Sequence, residues 1–310
     1  MGFNHAAALA ARRVLFAFVA TLALTGLASS GAATGGQEKN LVAAVEYRVN
    51  ANDGRVMVDI YPIAVYDRGR YRDASVDIRH DPPTSSPVEW IHDFTLLADG
   101  RALARVHGGR PLAGAKNSSC SRDVFLRTRT TRATFDAVPG VMPYGATSTW
   151  RGGVAVTAYR APKASPPLRG DRARYAEDVR LAVARALARD HIKVSDERTQ
   201  IEIQALNAFD ASHDGVPVIF ARTLDMNRAL VSYAWLSYHG GRPVVLGINT
   251  EVAAAGSRAG PNFFGTADID GDGTDEVIIR NQYDTAASYD IYKLRRNRVV
   301  LVFRGPLFGC

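Results

Sequence analysis

Nine consecutive residues, Asp268-Ile269-Asp270-Gly271-Asp272-Gly273-Thr274-Asp275-Glu276, carry five acidic side chains and run straight into the apolar Val277-Ile278-Ile279. Asp268, Asp270 and Asp272 alternate with residues that can point away, so three carboxylates can converge on one point. Like charges about 4 Å apart at an effective dielectric of about 20 repel by a few kcal/mol per pair. A hard cation inverts that repulsion, and a ligand set made only of oxygens suits Ca²⁺. The alternative is an Asp-Gly-rich turn that joins two strands and holds no metal.

An EF-hand is excluded by the spacing. Its loop needs a bidentate Glu at the twelfth position between two helices. Counted from Asp268, the twelfth residue is Ile279, inside a β-branched run, and the acidic residue falls ninth, at Glu276. This layout resembles the short calcium loops of FG-GAP and VCBS-type repeats, the blades of integrin-alpha-like β-propellers. The resemblance covers roughly residues 199–303, about a third of the chain. It implies a structural Ca²⁺ held by the side chains of Asp268, Asp270, Asp272 and Glu276 and by the main-chain carbonyl of Thr274. It also implies that Asp275 points to solvent.

A second, degenerate copy lies upstream. Phe209-Asp210-Ala211-Ser212-His213-Asp214-Gly215 and the following Val216-Pro217-Val218-Ile219 align with Ala267 through Val277 at an offset of 58. Ser232-Tyr233-Ala234-Trp235-Leu236 aligns with Ser288-Tyr289-Asp290-Ile291-Tyr292 at 56, and Pro243 through Leu246 with Arg298 through Leu301 at 55. Three matched segments in one order define a repeat read as loop, strand, turn, strand, turn, strand, about one propeller blade. The upstream loop has Ser212 and Val218 where the other has Asp270 and Glu276, so it is expected to keep the turn without the ion. Two blades cannot close a propeller, and repeats usually need at least three copies to bury their faces. The N-terminal half is expected to cover the missing surface.

Arg12-Arg13 precede an apolar run, Val14 to Leu24, and small residues through Ala33. This reads as a secretory signal peptide over 1–32 and places the mature chain in the periplasm or outside the cell. The run is shorter than the ~20 residues of a membrane span, and no other stretch approaches that length. Export gives meaning to the only two cysteines, Cys120 and Cys310. An intramolecular disulfide is expected, beside the rival readings of an intermolecular bridge or two free thiols. It would close a loop of ~190 residues, for which chain entropy gives at most about 4–5 kcal/mol.

The fold class is mainly β. Residues 38–160 read as a small β barrel or sandwich, 161–197 as a Pro-rich linker and one amphipathic helix, and 198–310 as two propeller-like blades. Asp171 can cap the helix, which runs from Arg172 to about Asp190 and is expected to pack between the two β regions. Removing Arg12 and Arg13 with the leader lowers the formal charge from +7 to +5. The arginines are scattered rather than clustered, which argues against a nucleic-acid partner. No nucleophile elbow, zinc-protease motif or phosphate loop is present. The expected function is a non-catalytic module that binds a protein or glycan. Trp150, Trp235 and Tyr238 are candidates for stacking on sugar rings, or else core residues. The oligomeric state stays open. The alternative is a metal-dependent hydrolase built from His80-Asp81, His92-Asp93, His107 and Glu89.

Overall fold

The computed structural model describes residues 39–309 except 51, 75–92, 109–110, 114–123, 139–149, 163–167, 169, 191–200, 226–228, 253–259 and 284–285. The leader, both cysteines and His80, Asp81, Glu89 and His92 lie outside the described residues.

Eight strands make the first sheet: β1 (Asn40–Val49), β2 (Val56–Asp67), β3 (Arg70–Asp73), β4 (Asp93–Ala98), β5 (Arg101–His107), β6 (Pro111–Ala113), β7 (Val124–Thr130) and β8 (Trp150–Val156). All its pairings are antiparallel, in the order β5-β4-β8-β1-β2-β7-β6, with β3 also on β2. The central strand β1 is apolar on both faces. Leu41, Ala43, Val45 and Tyr47 enter one core with Phe94, Leu96 and Phe135 of the short helix α1 (Arg132–Ala137). Val42 and Ala44 enter another. Proline lacks the N–H of a ladder bond, and Pro62 is accommodated where the β1–β2 register shifts between Val42 and Ala43. The turns after Asn52-Asp53, Asp67-Arg68 and Ala98-Asp99 place Gly54, Gly69 and Gly100 at positive φ.

After β8 comes helix α2 (Arg172–Arg189), then two meanders. Strands β9 (Ile201–Phe209), β10 (Val218–Asp225), β11 (Leu230–His239) and β12 (Arg242–Val252) form the second sheet. Strands β13 (Gly260–Ala267), β14 (Glu276–Gln282), β15 (Ala286–Arg295) and β16 (Arg298–Arg304) form the third, with β17 (Phe308–Gly309) on β15. Each meander therefore starts with a strand ahead of its loop, β9 or β13, which the repeat unit read from sequence did not contain.

The sheets stack. Val42, Ala44, Ile63 and Val154 of the first pack on Ala267, Ile269, Ile278 and Ile291 of the third. The other face of the third carries Val277 and Ile279 against Phe209, Phe220 and Trp235 of the second. Phe209 stacks on Phe263 at 5.0 Å between centroids, and Trp235 meets Tyr292 at 5.6 Å. Residues 38–310 form one compact unit, in which the first sheet covers one face of the third.

The helix begins where expected, with Asp171 Oδ1 accepting from the Ala173 amide at 3.0 Å. It does not pack between the two β regions. Tyr175, Val179, Val183 and Leu187 seat on Leu206, Ile219, Leu236 and Tyr238, so it covers the outer face of the second sheet. The reason is geometric: the third sheet and the first bury each other, and the open apolar face is that of β10 and β11. Trp235 and Tyr238 are core residues, closed to a sugar ring. Among the described residues no helix is long and apolar enough to cross a membrane.

Candidate metal centre

The loop between β13 and β14 folds on its own carboxylates. Asp268 Oδ2 accepts from the Gly273 amide at 3.1 Å, Asp270 Oδ1 from Asp272 at 3.2 Å, and Asp272 Oδ1 from Thr274 at 3.0 Å. The loop between β9 and β10 repeats part of that scaffold. Asp210 Oδ2 accepts from Gly215 at 2.8 Å, and Asp214 Oδ1 from Val216 at 2.8 Å, again at an offset of 58. Backbone conformations match as well. Gly271 and Gly273 have φ of 73° and 86°, and His213 and Gly215, their counterparts, have 54° and 80°. The turn forms in both loops, because Asp side chains bonding their own backbone build it without an ion.

Three of the five expected ligands come together. Carboxylate oxygens of Asp268, Asp270 and Glu276 lie within 4.8 Å of one another. Glu276 is fully buried, at 0 % exposure, and accepts from the Ile269 amide at 2.8 Å. Asp268 Oδ1 is buried without a hydrogen-bond partner. Asp272 lies outside that trio, half-exposed at the rim of the cluster. Thr274 uses its amide on Asp272.

A residue the sequence reading passed over sits among these carboxylates. Lys293 of β15 places its ammonium in contact with Asp270, 2.7 Å from Asp272 Oδ2 and 3.2 Å from Glu276 Oε1, with its side chain only 6 % exposed. Burial alone would lower the lysine, but Asp270, Asp272 and Glu276 outweigh it and hold the group firmly protonated. Burial, and then the charge of Asp270, push Glu276 up to about 7 against the Ile269 amide and Lys293. Burial raises Asp268 too, partly opposed by the Gly273 and Gly271 amides. At Asp272 burial is overcome by Lys293 and the Thr274 amide, and its carboxyl is lowered. Lys293 within the cluster and Arg295 beside Asp272 face four carboxylates, which leaves the cluster short of positive charge. These residues fit a hard cation: the donors are all oxygen, one donor atom is orphaned, and a tethered ammonium already stands where they converge.

Asp275 is a correction. It does not face solvent; it is 2 % exposed. Its amide donates to the Ala211 carbonyl at 2.8 Å, and its Oδ1 lies 3.0 Å from His213 Nε2. The turn at Gly100 presses on the same carboxylate, and a Cβ there would collide with Asp275 Oδ2. Both repeat loops and the first sheet thus meet at Asp275, which draws the side chain inward. Burial raises its carboxyl, opposed by His213. Asn40, 2 % exposed, makes a second tie, donating to Ala158 O at 3.1 Å and to Ile269 O at 3.0 Å while its Oδ1 accepts from the Ala158 amide at 3.0 Å. Asn40→Ala strands these groups and should lower unfolding stability by about 2 kcal/mol, read as a lower urea midpoint at unchanged slope.

Of the hydrolase candidates only one pair is described. His107 Nδ1 lies 2.7 Å from Asp93 Oδ1, with both side chains exposed. Among the described residues the acidic trio is the one group of three metal-ligand side chains. Comparison with family models, with curated proteins and with solved structures returns no match.

Proposed function

We propose that the protein is an exported, non-catalytic β-repeat module whose 268–276 loop binds a structural Ca²⁺, and that it serves as a binding surface for a protein or glycan. The observation that carries the calcium reading is the convergence of Asp268, Asp270 and Glu276 within 4.8 Å in a buried, charge-deficient cluster. Asp272 and the Thr274 carbonyl complete the set that the resemblance to FG-GAP and VCBS-type repeats implies. The two loops that share hydrogen bonds at an offset of 58 support the repeat reading.

The chain's own residues explain what the ion would do. Glu276 opens β14, and Asp268 follows directly on β13, so a cation between them ties adjacent strands at the end where the first sheet docks. The reading is tested by calorimetric titration of the mature chain. Binding of one Ca²⁺ with a dissociation constant of about 10⁻⁴–10⁻³ M, with Mg²⁺ weaker, is expected for an extracellular site. Saturating amounts without heat or stoichiometry would leave the loop a metal-free turn.

A further inference from the structure

We infer that Lys293 is a tethered competitor of calcium: its ammonium occupies the carboxylate cluster in the metal-free protein and is expelled when Ca²⁺ binds. This rests on the calcium reading above and adds how the site is regulated. The first support is position. The ammonium touches Asp270, Asp272 and Glu276, and two of these belong to the trio that would hold the ion. A divalent cation on Asp270 and Glu276 would lie a few ångströms from a second cation in a buried setting, where like charges are not screened by water. Both cannot stay. The four-carbon stem lets the ammonium leave while β15 keeps its place.

The second support comes from the duplicated sheet. One step beyond the pair Val277↔Tyr292, Glu276 and Lys293 are the next residues on β14 and β15. The same cross-strand position in the second sheet is Val218↔Ser237. Where the loop lacks the glutamate it lacks the lysine too. A lysine needed only for strand packing would have no reason to follow the acid. Its partner is the charge of the cluster.

Calcium binding is then an exchange of one cation for another. The metal-free loop stays folded around its own ammonium, the affinity is weakened by the lysine that must be displaced, and a monovalent ion gains nothing over the resident charge. Mg²⁺, reluctant to dehydrate, is the poorer competitor.

The test pairs two measurements on the mature chain. Calcium titration compares wild type with Lys293→Met, and lysine acetylation followed by mass spectrometry compares Lys293 in EDTA with Lys293 in calcium, using exposed Lys39 as reference. The expected result is at least a tenfold lower dissociation constant for Lys293→Met, and Lys293 labelling protected in EDTA but several-fold faster in calcium. Wild-type binding with an unchanged constant in the variant and unchanged labelling would overturn the competitor role while leaving the calcium site standing. No binding by either protein would remove the calcium reading, and the competitor with it. Binding by the variant alone would overturn the exchange, since Lys293 would then hold the cluster permanently and the native chain would take no calcium. Should Lys293→Met fail to fold, the labelling of wild type decides.

Discussion

Replacing Asp275 by alanine should lower the unfolding free energy by about 3 kcal/mol and the melting temperature by roughly 6–12 °C, in EDTA as in calcium. The side chain is buried where three parts of the fold meet: the 210–215 loop through His213, the turn at Gly100, and its own loop. Truncation strips the nearly buried imidazole of its partner, and an orphaned polar group there loses the full cost of its desolvation. His213 also holds a left-handed backbone, φ 54°, at the position where the other loop has glycine, a strain that its pairing with Asp275 offsets. His213→Ala should therefore cost nearly as much, and the double variant little more than either alone. Urea unfolding of the three proteins measures the coupling. Independent, additive losses, or a change within about 0.5 kcal/mol for Asp275→Ala, would return that residue to solvent, where the repeat pattern places it.

The second large effect is in pH. Glu276 ionises near 4.5 in an unfolded chain and near 7 in the fold, so the folded state binds its proton more tightly. Its contribution to stability is fully present below about 4.5 and is lost as the pH rises through about 7, up to about 3 kcal/mol at about 1.4 kcal/mol per pKa unit. In EDTA the protein should therefore lose stability between pH 5 and pH 8 by the order of that amount. Glu276→Gln, which keeps shape and gives up the titration, should flatten that slope and bind calcium at least tenfold more weakly. Denaturation at a series of pH values, in EDTA, checks the sign. Stability that climbs over the same range in the wild type, with Glu276→Gln still flat, would mean a carboxylate stabilised by Lys293 rather than strained by burial.

Much of this was legible in the sequence, for physical reasons that differ by element. The Asp268 to Glu276 loop, the hairpin turns and the capped helix at Asp171 are local. Each is written in residues a few positions apart: the helix starts at its cap, and the loop closes on its own aspartates even though Asp275 turns inward. Strands β9 and β13 were missed as the first strands of the two meanders because Ile201–Phe209 and Gly260–Ala267 share little in sequence. What makes them equivalent is pairing with β10 and β14, which no short window displays. The inward turn of Asp275 depends on His213, 62 positions away, and on Gly100 in another sheet. Lys293 left a faint signal. It follows Tyr289 and Ile291 on the buried parity of β15, in a chain where only five of 38 basic residues are lysine. A lone lysine on an apolar strand face asks for carboxylates, and the loop supplies them.

The most direct measurement is a thermal melt of the mature protein in EDTA and in about 5 mM Ca²⁺, with Mg²⁺ at the same concentration as control. At a dissociation constant near 10⁻⁴ M, binding linkage adds about 2 kcal/mol, a rise of roughly 5 °C in calcium and much less in magnesium. Identical melts in EDTA, calcium and magnesium would contradict a calcium site and leave the carboxylates to Lys293.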